Sequence, residues 1–517
     1  MKIKKYLLLA VTSIALLMSC SRDDDPKPAP PKPTPPPVAV TPDAKNDFVW
    51  RAMNYWYYWQ NQVPNLADSK KTNTNAYAEF VNGFPSPDKL FYSLLYQYGT
   101  VDRFSWIENN GDYVSSSAKL INTAEVEKTN GLDLSFFQIN NQQQVIALVN
   151  YVIPNSSADK AGILRGDIIY KVNGSLFYRN NFSQMFNANS YKVTIAESIN
   201  LINNEYVVSG IKNEADITTT ELDENPIAAY KKFDLAGKKI GYLVFNSFKT
   251  DYNDELNKVF GEMKADGINE LILDLRYNGG GKLNTAMALG YMISGKTGNY
   301  VYMEWNNKNS EWSEFDNLVS TVDYFKLVDN YPEQEETVPA NTLNLPRVFV
   351  LTSQSTASAS ELTILGLSKY ITVETIGRTT YGKFVGSISL WDAPEVIKNN
   401  RKYKEFTSRE DRNTSHNWML QPITFSYKNK DKEPVPAAGG LPPKHEINSF
   451  AYLGTLKEFG NESDPALKKA LDLITGQSST GKLTNKNYPN FPTFEKSDRV
   501  KVLNIDDINR HIERFRK

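Results

Sequence analysis

RVFVLTSQSTASASEL (residues 347–362) runs from an apolar strand into a crowd of small hydroxyl side chains and then into a helix. Small residues at such a junction let backbone approach backbone, or a substrate, very closely. The stretch is therefore either a tight packing site or a place where one serine is held out for chemistry. The helix continues through TILGLSKY, a second strand follows at TVETIG (372–377), and then comes Gly382-Lys383. Upstream, KKIGYLVFNSF (238–248) reads as a strand, and DYNDELNKVFGEMKADG (251–267) carries Leu256, Val259, Phe260 and Met263 on one helical face. ELILDLRYNGGGKLNTAMALGYMI (270–293) adds a buried strand from Leu271 to Leu275, a glycine turn at Gly279-Gly280-Gly281 and another helix. Alternating strands and helices define an α/β core over residues 226–475, and strand, glycine turn and helix together make a backbone donor site.

A nucleotide reading fails on particular residues. GRTTYGKF (377–384) approaches a phosphate-binding loop, but Phe384 stands where a magnesium-binding hydroxyl belongs, and VGSISLW after it alternates like a strand. The turn at Gly279 has Arg276 where a dinucleotide fingerprint needs its first glycine.

The hydroxyl run followed by Gly382-Lys383, together with DLRYNGGG (274–281), closely resembles the C-terminal processing peptidases. These are serine–lysine endopeptidases related to tail-specific proteases and the tricorn core. The resemblance implies a crotonase-like ββα core with Ser358 as nucleophile and Lys383 as general base. It also implies an oxyanion site at Gly279, Gly280 and the amide of Ala359, with no metal and no cofactor. Where some relatives carry an aspartate this chain has Lys369, and where others carry a glutamine it has Ser387, the candidate third member.

The chemistry agrees independently. A serine hydroxyl is a weak nucleophile until a base takes its proton, and a lysine serves only where an apolar setting leaves it neutral. Tyr381, Phe384 and Val385 offer that setting, whereas His416, His445 and His511 lie outside both motifs. The competing class is a catalytically silent lipoprotein that binds peptides or apolar ligands on the same fold.

Ahead of the core, QVIALVNYVIPNSSADKAGILRGDIIYKVNG (144–174) suggests a strand near Val145–Val149, a short helix at Ser157–Ala161 and a strand at Ile168–Val172. This stretch resembles a PDZ domain, placed at residues 119–210. The resemblance puts the loop that holds a substrate's C-terminal carboxylate at Gly131, Leu132, Asp133 and Leu134, so protein or peptide substrates are the expected partners. NEADITTTELDENP (213–226) reads as a linker. Residues 46–118 read as a helical domain whose aromatic-rich DFVWRAMNYWYYW is either core or a binding stripe.

The first 20 residues have a basic start, a short apolar run and Cys20, the single cysteine of the chain. They resemble a lipoprotein signal with Cys20 as the lipidated residue, which implies an exported bacterial lipoprotein held at the outer membrane by acyl chains. SRDDD after it resembles a tag for surface export. The proline-rich stretch within 21–45 is an extended spacer, and residues 476–517 are a tail after the helical DPALKKALDLIT. Of 517 residues, 58 are basic and 59 acidic, a balance that argues against a nucleic-acid partner.

Overall fold

The computed structural model describes residues 39–109, 127–318, 320–328, 331–398, 401–436, 439–477 and 488–495. Cys20, the signal segment, most of the proline-rich spacer, residues 110–118 and His511 lie outside the described residues.

The helical segment contains Ala44–Trp56 (α1), Thr74–Asn82 (α2) and Pro87–Ser93 (α3). Asp43 caps α1 by accepting from the amides of Lys45 and Asn46 at 3.0 Å, satisfying donors that a helix start leaves open. The aromatic residues of α1 are core: Phe48, Trp50, Trp56 and the following Tyr57 are buried, and Trp56 packs on Trp305 and Trp312. Their apolar cluster is continuous with that of the α/β core, so the helical segment shares its interior and has none of its own.

The PDZ-like segment has strands Leu132–Gln138 (β1), Gln144–Val152 (β2), Ile168–Val172 (β3), Ser175–Tyr178 (β4), Ser190–Ile202 (β5) and Glu205–Thr218 (β6), ordered β1-β2-β4-β3-β5-β6. β2 is buried on both faces. Val145, Ala147 and Val149 face the segment's own core, and Ile146 and Leu148 face a cluster with Phe450, Leu453 and Leu456 of the C-terminal region. The short helix forms at Ser157–Lys160, capped by Ser156. The expected linker at 213–226 is corrected: β6 runs on to Thr218, and Thr220–Leu222 pairs with Glu127–Thr129. Alternating Ala215 and Ile217 point into the core, which draws this polar-looking stretch into the sheet and extends the segment past residue 210.

The α/β core is built on a six-stranded sheet, with a separate four-stranded sheet that includes Gly298–Trp305, Ile423–Asn429 and Val385–Ser387. Ile227–Leu235 (β7) lies antiparallel to Lys238–Phe245 (β8). From β8 the sheet continues in parallel through Glu270–Asp274 (β9), Arg347–Thr352 (β10), Thr372–Gly377 (β11) and His445–Glu446 (β12). Helices Asn253–Ala265 (α4), Leu283–Ser294 (α5) and Ala359–Leu367 (α6) contribute to the cluster on one face of the sheet, and Pro465–Thr475 (α7) to that on the other. Cover on both sides explains why β8, β9 and β10 read as unbroken apolar runs.

Candidate active site

The site forms where β9 and β10 end side by side. Leu275 N–H donates to the Leu351 carbonyl at 3.0 Å, which sets DLRYNGGG against the hydroxyl run. The hydroxyls then stitch the two motifs together. Thr356 donates to the Leu275 carbonyl at 2.8 Å, Ser353 to that of Arg276 at 2.5 Å and Ser360 to that of Asn278 at 3.0 Å. Beneath the turn, Arg276 is held by Asp274 at 2.6 Å and by Asp464 at 2.7 Å, while Arg165 of the PDZ-like segment reaches Asp464 at 3.0 Å. Burial pushes the Asp464 carboxyl up, but Arg276 and Arg165 outweigh it and hold the pKa low.

Ser358 stands immediately before α6 with φ 56° and ψ −115°, left-handed backbone that a side chain adopts at a cost of about 1–3 kcal/mol. Such strain persists where the surroundings impose it, here by the turn opposite. Gly280 has φ 105°, and a Cβ on it would lie 2.7 Å from the Ser358 Cβ and 3.0 Å from the Ala359 nitrogen. Of the three expected oxyanion residues, Gly280 and Ala359 are therefore beside Ser358. Gly280 N–H, however, donates to Asn278 Oδ1 at 2.8 Å, so its amide is already engaged.

Lys383 is brought to the same place by a residue that the sequence reading passed over. Glu361, fully buried in α6, accepts from the amides of Ser358 at 3.0 Å, Lys383 at 2.8 Å and Gly382 at 2.7 Å, and from the Thr380 hydroxyl. One carboxylate thus organises both the serine turn and the lysine loop. Burial still pushes its pKa up against the pull of those donors. The available signal was a lone carboxylate inside an otherwise apolar helix, because a buried carboxylate must have partners.

The Lys383 side chain is 2 % exposed. Burial lowers its pKa to about 8 against an opposing pull from Glu361. Part of the apolar wall comes from an unexpected element: the Phe104 ring centroid lies 5.5 Å from Lys383 Nζ. Asp102 fixes that loop by accepting from the amides of Phe104 and Ser105 and from the Tyr57 hydroxyl. Arg103 beside it donates to the carbonyls of Tyr381 at 3.2 Å and Gly382 at 2.9 Å. The helical segment therefore helps to build the lysine pocket.

Ser387 is buried and accepts from Gln421 Nε2 at 3.2 Å, on a strand of another sheet. Lys369 points away and pairs with Asp431 and Glu433. His416 pairs with Asp392, and His445 with Glu374. In the PDZ-like segment, Gly131 N–H donates to Thr129 Oγ1 and Leu132 N–H to Asn130 Oδ1, both at 3.0 Å. Asp133 accepts from Asn150, and Leu134 is buried in the segment's core. The loop amides expected to take a carboxylate thus include two that are satisfied locally. Among the described residues no cluster of acidic, histidine or cysteine side chains could hold a metal.

These elements define a PDZ-bearing α/β peptidase fold with a helical N-terminal region. Residues 239–393 match peptidase family S41, residues 44–106 match the S41 N-terminal domain and residues 148–179 match a PDZ domain. The core of the chain is thus similar to peptidase family S41, with the family's N-terminal domain and a PDZ domain matched ahead of it. It is 26% identical over 261 residues to a carboxyl-terminal-processing protease of Picosynechococcus, covering 50% of this chain and 56% of that one. It is 27% identical over 240 residues to carboxy-terminal processing protease CtpA of Bacillus subtilis, covering 45% and 43%. The matches span about half the length of these relatives. A solved structure from Bacteroides fragilis, assigned as an S41 protease, shares the fold with a TM-score of 0.60 at 23% identity, over 85% of this chain and 98% of that one.

Proposed function

We propose that the chain is a serine endopeptidase in which Ser358 is the nucleophile, Lys383 the general base, and the PDZ domain recruits the peptide to be cut. The observation that carries this reading is Lys383: with a pKa near 8, a substantial fraction is neutral at mildly alkaline pH and able to take a proton. Ser358 Oγ gives its proton to Lys383 Nζ and attacks the scissile carbonyl. The ammonium so formed returns the proton to the leaving amine, and water then releases the acyl group by the same relay. The amides of Gly279 and Ala359 stabilise the oxyanion. Gly280 serves by having no side chain, while its own amide stays with Asn278. Ser387 is the candidate third member, with its hydroxyl held by Gln421.

The mature protein is anchored to the outer membrane through lipidated Cys20, with its folded part in the periplasm or outside the cell. The deciding experiment is labelling by a serine-directed fluorophosphonate together with hydrolysis of an unstructured protein such as casein. Wild type should react in both assays and Ser358→Ala in neither. Failure of the wild type in both would favour the silent binding lipoprotein, a reading to which the engaged Gly280 amide lends some weight.

A further inference from the structure

The outer edge of the PDZ sheet is filled by the chain itself. Thr493–Glu495 (β13) pairs antiparallel with β1, placing Thr493 opposite Phe137, Phe494 opposite Phe136 and Glu495 opposite Ser135. Gln138 N–H adds a bond to the Pro492 carbonyl at 3.0 Å. Apart from β13, β1 is the outermost strand, so its outward N–H and C=O groups form an edge onto which an extended peptide can add.

Side chains reinforce the pairing. Phe494 packs on the segment's core, with its ring centroid 5.2 Å from that of Phe182 and 5.8 Å from the Arg179 guanidinium carbon. A few residues earlier, Tyr488 and Phe491 pack on the cluster that joins Phe137 to Phe450 and Leu453. The segment is therefore held at two apolar points, one of them between the PDZ sheet and the C-terminal region. Thr493 and Phe494 also line a cavity of about 40 Å³ together with Ser353 and Ser355 of the hydroxyl run.

We infer that Pro492–Glu495 is a built-in ligand of the PDZ peptide-binding edge, and that a substrate gains the edge only by displacing it with an extended stretch that offers an aromatic side chain where Phe494 sits. The ligand is a stretch within a chain, since the sequence continues past Glu495, and this agrees with the locally satisfied amides of Gly131 and Leu132. A tethered segment competes at an effective concentration on the order of millimolar, enough to mask a peptide site of modest affinity. The inference rests on the PDZ reading and is independent of the catalytic assignment.

The test uses the full chain carrying Ser358→Ala, so that loss of activity cannot confuse the result. The probe is a fluorescent, C-terminally amidated peptide with the sequence of residues 490–495, NFPTFE, followed by anisotropy. Weak binding is expected to this chain, with affinity rising about tenfold or more when Phe494→Ala frees the edge. Phe494→Pro, which takes an N–H out of the strand, should give the same gain. A probe with alanine at the position of Phe494 should lose binding to every form, a comparison that holds even if one variant folds poorly. Equal affinity in the presence and absence of Phe494→Ala, or binding by none of the forms, would overturn the inference.

Discussion

Gly280 lies so close to Ser358 that a Cβ on it would come within 2.7 Å of the serine Cβ. The two positive-φ residues support each other across the turn, so Gly280→Ala must displace the serine, strain the glycine turn, or both. Turnover should fall on the order of 100-fold, the scale of a lost oxyanion contact, with a smaller change in melting temperature. Hydrolysis and thermal melting of the same preparation check this; full activity would show that the close approach is dispensable.

In the proposed mechanism Lys383 sets the pH dependence. Burial lowers its pKa from 10.5 to about 8, so activity should rise with pH through about 8 and level off above it. Lys383→Arg should be nearly inactive, because guanidinium stays protonated. The linkage has a definite sign: between pH 8 and 10.5 the unfolded chain binds the proton that the folded chain has released, so this group's contribution makes the protein more stable as pH rises through that window. Lys383→Met should melt higher than wild type at pH 7 and lose that rise.

Glu361 raises the lysine pKa while burial lowers it more. Glu361→Gln removes the charge, so any surviving activity should reach its acid midpoint below that of wild type. The amide group also turns N–H toward donors that the carboxylate accepted, which should lower the melting temperature by several degrees. A lower melting temperature with an unmoved midpoint would limit Glu361 to structure.

Asp464 is buried between Arg276 and Arg165. Asp464→Asn leaves two guanidiniums without their shared counter-charge and should cost about 3–5 kcal/mol, read from urea denaturation. Because its folded pKa is lowered, the stability it contributes is present above the ordinary carboxylate range and is lost as pH falls through the folded value. The difference between wild type and variant should therefore shrink in acid.

Anchoring is separable from all of this. Cys20→Ala should move the protein from the membrane fraction into the soluble fraction while leaving hydrolysis intact, because acylation is the apolar anchor in this reading. Unchanged retention after a carbonate wash would place the anchor elsewhere.

Local pattern alone determined a good deal. The apolar runs of β8, β9 and β10 and the glycine turn marked out an α/β core, because period and turn chemistry are properties of neighbouring residues, while the peptidase reading rested on the resemblance of the Ser358 and Lys383 motifs to a known family. Helix α7 was equally legible, since Asp464 and Pro465 mark its start within the sequence itself. Only the tertiary structure decided the rest. Phe104 is brought to Lys383 from far upstream, Glu361 acquires its donors from a loop beyond the next strand, and the polar stretch at 213–222 becomes strand because a partner offers hydrogen bonds and a core to face. Phe494 finds its place on a sheet whose strands lie hundreds of residues earlier. Contacts of this kind depend on loop closure and burial across the whole chain, and no local period encodes them.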